Sequence, residues 1–217
     1  MPSPDVPDAP DALDAPGAAG GAPFRCFGTG DPLYEAYHDT EWGHPVRDDR
    51  GLFERISLEA FQSGLSWITV LRRREAFRAA FDGFDPRAVA AYGDADVARL
   101  LADPGIIRNR AKVGATIANA HALLALQAAG GSLDGLLRAA TPDPAPPAPQ
   151  VPADVPARTP GSAALARTLK AAGFRFVGPT TAYATMQACG VVDDHLRQCP
   201  ARAAVERARA ASEGVRP

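Results

Sequence analysis

The chain has 217 residues, 46% hydrophobic and 22% charged, which is typical of a globular domain large enough to bury a core. Its formal net charge of −2 excludes nucleic-acid binding through overall positive charge, so any such binding must come from local basic patches. No apolar run reaches the ~18 residues of a membrane-spanning helix, and three cysteines are too few for a disulfide framework.

Both ends of the chain are predicted to be tails around one domain at residues 23–200. Residues 1–22 contain four aspartates, no base and almost no large apolar side chain. Such a segment buries too little apolar surface to offset the entropy of ordering, so we expect it to be disordered. Without it, 21 acids and 23 bases remain, a net charge of +2. Residues 201–217 could be helical but show no apolar face, and they are treated as a second tail.

The domain itself is predicted to be all-α, because helix caps and Gly or Pro breaks recur and no alternating strand pattern persists. The predicted helices run from Pro32 to Gly43, from 49 to 64, from 66 to 81, from Pro86 onward, from 94 to 101, along an Ala-rich stretch that ends at Gly130, from 162 to 172 with Ser162 as N-cap, and from 180 to 190. Residues 141–161 hold eight prolines and are predicted to be a surface loop within the same domain.

The second predicted helix carries an acid on an apolar stripe. Glu59 shares a helical face with Leu52 and Ile56, and a carboxylate at such a position is costly to bury unless it is paired. It is either a structural acid hydrogen-bonded inside the fold or a pocket acid that awaits a cationic or proton-donating ligand. Trp67 could line the same pocket, and the arginine run at 72–78 suits phosphates. Together they suggest a base-binding pocket beside a nucleic-acid backbone.

A glycine-containing turn at 103–107 separates two helices and leads into Arg108, Arg110 and Lys112. Glycine lets another backbone approach closely, and the free amides at the start of the next helix suit a phosphate oxygen. This is the layout of a helix-hairpin-helix DNA-binding element. The alternative is an ordinary connection between helices with solvated arginines.

Four of the seven Cys and His side chains fall in two pairs at opposite ends of the domain. Cys26 and His38 lie near its beginning, and His195 and Cys199 lie near its end. Two thiolates and two imidazoles would complete a tetrahedral zinc shell with no open position. The alternative is two buried cysteines and two hydrogen-bonded histidines.

Four sequence blocks, at 31–43, 58–71, 105–112 and 173–195, resemble the bacterial 3-methyladenine DNA glycosylase I family in order and spacing. They are DPLYEAYHDTEWG, LEAFQSGLSWITVL, GIIRNRAK and GFRFVGPTTAYATMQACGVVDDH. The resemblance covers roughly residues 25–200. It implies an all-α helix-hairpin-helix fold in which zinc joins the two ends of the domain. It further implies an enzyme that excises 3-methyladenine from alkylated double-stranded DNA by hydrolysing the N-glycosidic bond.

The resemblance also implies individual roles. Glu59 and Tyr37 would contact the methylated base, Trp67 would stack on it with Trp42 as support, Leu65 would enter the gap left in the duplex, and Cys26, His38, His195 and Cys199 would bind structural zinc. One departure is local: Phe27 and Gly28 stand where many members have tryptophan.

Two rival functions are a DNA-binding module that has lost its chemistry and a zinc hydrolase. The intact Glu59, Tyr37 and Trp67 argue against the first, and four protein ligands leave no open zinc position for the second. Asp134 lies near where relatives outside the family place a catalytic aspartate, but it more simply belongs to a helix start. We expect a cytoplasmic monomer, because the few cysteines suit a reducing cytosol and the acidic N-terminus is unlike a signal peptide.

Overall fold

The computed structural model describes residues 24–213, so the predicted disordered segment at 1–22 lies outside the described residues. The predicted all-α class is confirmed. The helices are α1 (Pro32–Thr40), α2 (Asp49–Gln62), α3 (Trp67–Leu71), α4 (Arg74–Ala80), α5 (Pro86–Ala90), α6 (Asp94–Ala102), α7 (Arg110–Ala128), α8 (Leu133–Arg138), α9 (Pro160–Ala171), α10 (Pro179–Ala188) and α11 (Ala201–Glu213). Short 3₁₀ turns lie at Asp82–Phe84 and Pro152–Asp154.

Polar caps start several of these helices where the sequence predicts them. The Asp31 carboxylate accepts hydrogen bonds from the first-turn amides of α1, and Pro32 occupies the first helical position. Asp85 and Pro86 do the same for α5. A side-chain oxygen at the N-cap satisfies amides that have no partner within the helix, and each such cap contributes about 1 kcal/mol.

Two predicted helices differ from the observed ones. The predicted helix at 66–81 is broken into α3 and α4, because Arg73 (φ −103°, ψ 1°) leaves the helical conformation. The helix that the sequence predicts at 162–172, with Ser162 as N-cap, is α9, and it begins at Pro160. Thr159 is its N-cap, and the Thr159 hydroxyl accepts from the Ser162 amide while the Ser162 hydroxyl accepts from the Thr159 amide. This reciprocal pair is a capping box.

The structure also differs from the prediction at the C-terminal end. Residues 201–213, predicted as a tail, form α11 and pack on the domain. Val205 is fully buried and lies against Gly43 after α1. Arg202 donates to the His195 carbonyl at 2.8 Å, and Arg209 donates to the Val191 carbonyl at 3.1 Å. One buried valine and arginines that bond to carbonyls hold this helix, so its sequence shows no apolar stripe.

The helix α2 forms the centre of the core and packs against α3, α7, α8 and α10. Its fully buried side chains include Leu52, Phe53, Ile56 and Phe61. The end of α10 approaches the segment after α1 so closely that a Cβ on Gly190 (φ +70°) would lie 2.5 Å from the Gly43 carbonyl oxygen. The end of α10 is therefore held against the segment that joins α1 to α2.

None of the helices between residues 24 and 213 is both long and apolar enough to cross a membrane.

Candidate functional site

Glu59 lies on the inner face of α2 and is 6% exposed. Its carboxylate makes no hydrogen bond or salt bridge with any side chain in the described part of the chain. Burial raises the pKa of Glu59 to about 8, although the positive charge of Arg55 acts in the opposite direction. A buried acid with no partner destabilises the fold, and its ionised form would attract a cation.

Two aromatic side chains accompany this acid. The rings of Tyr37 on α1 and Trp67 at the start of α3 have their centroids 5.3 Å apart, and both residues are buried. Burial, followed by the charge of Glu59, raises the pKa of Tyr37 well above its usual value. The Trp67 indole N–H is buried and has no hydrogen-bond partner in the described structure. The Tyr37 and Trp67 rings therefore pack together, the charge of Glu59 acts on the Tyr37 phenol, and the indole N–H remains available as a donor.

The loop between α2 and α3 presents an apolar side chain to solvent. Leu65 is 42% exposed and follows Gly64, which adopts φ +83°. Lys112 of α7 fixes this loop, because its ammonium donates to the carbonyls of Phe61 at 2.9 Å and Ser63 at 2.6 Å. An exposed leucine on an anchored loop has the shape needed to fill a gap in a base stack.

Lys112 itself does not lie where the sequence analysis predicts. It is 7% exposed, and burial lowers its pKa. Its ammonium donates to carbonyls at the end of α2, so it stabilises the loop between α2 and α3 and is not free to bind a phosphate. Arg110 lies two positions earlier on α7, which places the two side chains about 200° apart around the helix, so Arg110 faces solvent while Lys112 faces the protein.

The predicted hairpin is formed by α6, residues 103–109 and α7. A Cβ on Gly105 would lie 3.1 Å from the Cβ of Ala76, so the turn packs tightly against α4. Arg108 and Arg110 are exposed, and neither forms a side-chain hydrogen bond or salt bridge within residues 24–213. They leave two unpaired positive charges beside the first amides of α7.

The arginine run at 72–78 is used internally, contrary to its predicted role with phosphates. Arg74 donates to both oxygens of Glu41, at 2.6 and 2.8 Å. Arg78 pairs with Glu54 at 2.8 Å. Arg72 pairs with Asp31.

The four predicted metal ligands form one buried cluster. The ligand atoms of Cys26, His38, His195 and Cys199 all lie within 4.8 Å of one another. The Cys199 Sγ is 3.5 Å from His38 Nε2 and 3.5 Å from His195 Nδ1. A hydrogen bond from Cys26, with those from the two rings, holds the pKa of the Cys199 thiol well below its usual value despite burial.

The outer nitrogens of both histidines are also engaged. His38 Nδ1 lies 2.7 Å from an Asp39 carboxylate oxygen, and His195 Nε2 lies 3.1 Å from the Trp42 carbonyl oxygen. Arg25 in turn binds Asp39. Metal-binding histidines commonly present their second nitrogen to a carboxylate or carbonyl in this way, which directs the first nitrogen inward. The donor set, its burial and its outer partners therefore fit a metal ion.

A separate groove of about 530 Å³ lies between the Pro-rich loop, α8, α9 and α10. It is lined by Pro144, Leu165 and Met186 among others, and by none of Glu59, Tyr37 or Trp67. This groove is therefore separate from the cluster of Glu59, Tyr37 and Trp67.

Known proteins place this arrangement in a family. The family model described as methyladenine glycosylase matches residues 27–203. The chain belongs to the methyladenine glycosylase family. It is 48% identical over 170 residues to the DNA-3-methyladenine glycosylase 1 of Escherichia coli (strain K12), an alignment that covers 78% of this chain and 91% of that protein.

Two solved structures of family members share its fold. A crystal structure of 3-methyladenine DNA glycosylase I superposes with a TM-score of 0.76 at 49% identity, covering 79% of this chain and 95% of the other. The Staphylococcus aureus enzyme, solved to explain its recognition of 3-methyladenine, superposes with a TM-score of 0.76 at 35% identity, covering 80% and 93%.

The departure at Phe27 is accommodated by ring packing. The Phe27 centroid lies 4.9 Å from that of Tyr34, 5.0 Å from that of Trp42 and 6.4 Å from that of Tyr37. Trp42 also packs on His195 at 4.6 Å. Trp42 therefore packs at the edge of the Cys and His cluster, and the Phe27 ring connects it to Tyr37.

Asp134 lies in the first turn of α8, as the sequence analysis preferred, whereas the role of Arg55 was not foreseen. Asp134 is paired with Arg47 and Arg138, as suits a helix-start residue. The sequence analysis missed Arg55, which precedes Glu59 by one helical turn and joins Glu41. Its position on the same stripe was a visible signal. Its partner, 14 residues away, was not visible.

Proposed function

We propose that the chain is a DNA-3-methyladenine glycosylase that removes the alkylated base from double-stranded DNA by hydrolysing its N-glycosidic bond. The observation that carries the proposal is the buried, unpartnered carboxylate of Glu59, whose charge acts on Tyr37, the ring that packs against Trp67. It lies in a domain with the fold of the 3-methyladenine glycosylases. The base would be taken out of the stack to reach it, at a cost of a few kcal/mol.

Charge distinguishes the damaged base from normal adenine. Methylation at N3 makes the base cationic within DNA, and its bond to C1′ is already weak. Hydrolysis breaks that bond, the base keeps the electron pair and leaves neutral, and water adds to C1′ with loss of a proton. The pKa of Glu59 is raised to about 8 by burial. A bound cation would lower this pKa and favour the carboxylate, whereas neutral adenine would not. Recognition and chemistry are thus favoured by the same carboxylate.

The aromatic rings add to that selection. Trp67 would stack on the extruded base, and a desolvated cation over an indole face gains ~2 kcal/mol. Its unpaired indole N–H is available to an acceptor on the base or the DNA. Tyr37 would contact the base edge and stays protonated at neutral pH, because its pKa is raised well above the usual value.

Exposed residues outside this cluster would contact the duplex. Leu65 would fill the gap left by the flipped nucleotide. Arg108, Arg110 and the first amides of α7 would bind phosphates, as expected of a helix-hairpin-helix element. Lys112 is assigned to the pocket loop.

Release of 3-methyladenine from alkylated DNA, with products separated by chromatography, tests the function. We expect free 3-methyladenine and no release of adenine from undamaged duplex. Binding to alkylated DNA with no base released would favour the rival of a DNA-binding module.

Replacing both Arg108 and Arg110 with glutamine should weaken binding to any duplex sequence about uniformly. The slope of log affinity against log salt should fall by about 2, because each phosphate contact contributes about 1. Titration of labelled undamaged duplex at several salt concentrations measures this.

Lys112→Met is the matched control, since it removes the same kind of charge from the same helix. It should lower the melting temperature, because the carbonyls of Phe61 and Ser63 lose their donor, but leave the salt slope unchanged. An unchanged slope in the double arginine variant would show that the hairpin does not contact DNA.

We also propose that the ion at Cys26, His38, His195 and Cys199 is structural zinc. Two thiolates and two imidazoles are ligands that zinc favours, and four protein donors leave no position for water or substrate. When bound, it would link the two ends of the domain and take no part in hydrolysis.

A cytoplasmic location remains our proposal, supported by the three buried free thiols, which suit a reducing compartment. The monomeric state remains a prediction.

A further inference from the structure

Arg55 is a buried cation beside the base pocket whose role is not explained by packing alone. It lies on α2 one turn before Glu59, and its side chain is 11% exposed. Its guanidinium carbon lies 6.0 Å from the centroid of the Tyr37 ring. Its Nη1 is buried without a hydrogen-bond partner among residues 24–213. An unpaired donor of this kind is costly, so its retention calls for a reason.

A second arginine prevents Arg55 from being neutralised. Arg55 Nη2 donates to a Glu41 oxygen at 2.9 Å, but Arg74 binds both oxygens of the same carboxylate. Burial opposes ionisation of Glu41, yet the hydrogen bonds from Arg74 and Arg55 lower its pKa to about 2. Two guanidinium groups therefore share one carboxylate, and one unit of positive charge is left over next to Glu59.

The anchoring also fixes where that charge stays. A direct salt bridge between Arg55 and Glu59 would occupy the carboxylate that the damaged base needs, and no such bridge forms. The bond to Glu41 restrains Arg55 near Tyr37. The arrangement supports the charge on Glu59 without covering it.

We propose that Arg55 is a positioning residue for base recognition: it keeps Glu59 able to ionise in a dry pocket, while Glu41 and Arg74 hold it back from pairing with that carboxylate. The proposal rests on the role proposed above for Glu59. The positive charge of Arg55 also weakens binding in one respect, because it repels a cationic base. Loss of Arg55 should therefore have opposite effects at low and high pH.

The other titratable groups around α2 allow this effect to be measured. Tyr37 from α1 and Cys189 at the end of α10 have pKa values raised by burial, that of Cys189 to about 12, so both stay neutral below pH 9. Lys112 from α7 bonds to carbonyls at the far end of α2. From α8, Asp134 is paired with Arg47. In this set, Glu59 is the group that titrates at the pocket between pH 6 and 9.

The probe is 3,9-dimethyladeninium, whose positive charge does not depend on a ring N–H proton, and whose N9 methyl group stands in for C1′. Calorimetry from pH 6 to 9 should show wild-type affinity rising with pH as Glu59 ionises. In Arg55→Met the midpoint should move up by about one pH unit, which weakens binding at pH 7 by up to about tenfold, and relief of the repulsion between Arg55 and the cation makes the loss smaller. At pH 9 affinity should approach or exceed that of the wild type.

Three variants separate this from a structural effect. Arg55→Lys keeps the charge and should restore most of the wild-type midpoint. Arg50→Met removes an arginine from the same helix away from Glu41 and should leave the midpoint unchanged. Glu41→Gln should act in the opposite direction, because a released Arg55 can pair with Glu59, lowering both the midpoint and the affinity at pH 9.

The outcomes distinguish the proposed role of Arg55 from the proposed role of Glu59 on which it rests. Equal weakening of Arg55→Met at every pH, or a midpoint that moves in neither Arg55→Met nor Glu41→Gln, would overturn the role of Arg55. If Arg55→Met does not fold, Arg55→Lys and Glu41→Gln still decide the matter. A Glu59→Gln variant that binds the cation as tightly and with the same pH dependence would instead overturn the proposed role of Glu59.

Discussion

Replacing Glu59 with glutamine should remove most excision of 3-methyladenine while making the protein more stable. Glutamine keeps the size and hydrogen-bonding reach of the side chain but cannot carry the charge that selects a cationic base. Excision and binding of a cationic base should fall together by a factor of ten or more, since losing an ion pair in a desolvated pocket costs more than about 1.4 kcal/mol. Binding to undamaged duplex, which depends on phosphates, should stay nearly constant.

The gain in stability should depend on pH in a defined direction. The pKa of Glu59 is raised to about 8, above its unfolded value, so between about pH 4.5 and 8 the folded protein keeps a proton that the unfolded chain has lost. Stability of the wild type therefore falls with rising pH across this window. Glu59→Gln removes that loss, which is at most ~3 kcal/mol at pH 7 for a carboxyl with a pKa of about 8. Urea unfolding at pH 5 and 8 should show the difference between variant and wild type growing with pH.

Glu54→Gln supplies the matched control. Glu54 lies on the same helix, but its carboxylate pairs with Arg78 at 2.8 Å. Its replacement should leave excision unchanged and slightly lower the melting temperature. Intact excision in Glu59→Gln together with a destabilised fold would mean that Glu59 is structural and that the pocket lies elsewhere.

The contrast between these two glutamates shows how far sequence reasoning reaches. An acid on an apolar helical stripe is visible as a pattern, because helical periodicity fixes which face a residue occupies. Whether the acid is paired depends on residues distant in sequence. The partner of Glu54 lies 24 positions away on α4. The sequence around the two residues does not show that Glu54 is paired and Glu59 is not.

The same limit explains the errors at basic residues. Arg72, Arg74 and Lys112 all stand in cationic runs that suit a phosphate surface, yet each bonds to the protein itself. Long basic side chains reach several ångströms from the backbone, so their direction is set by tertiary contacts. The packing of the terminal helix α11 on the domain was not predicted for a related reason, since it depends on arginine bonds to carbonyls.

Removal of the metal should loosen both ends of the domain together. Cys26 and Cys199 are separated by about 170 residues, and a link that closes so long a loop restricts the unfolded chain strongly. Cys199→Ser should abolish stoichiometric zinc and lower stability by several kcal/mol, or roughly 10 °C or more in melting temperature for a domain of this size. Elemental analysis of undenatured protein and thermal unfolding measure these effects. One zinc per chain in the variant, or an unchanged melting temperature, would contradict the assignment.

Cys189→Ser separates loss of metal from loss of a buried thiol. Cys189 is 1% exposed, as buried as the ligand cysteines, but it lies outside the cluster. Its replacement should cost stability through burial of an added hydroxyl and yet retain one zinc per chain. Hydrogen exchange distinguishes the two variants further. Loss of the metal should speed exchange in α1 and α11, which flank the cluster, whereas Cys189→Ser should affect the end of α10. Because α1 also carries Tyr37, the metal-free protein should bind a cationic base more weakly, even though we propose no part for the metal in hydrolysis.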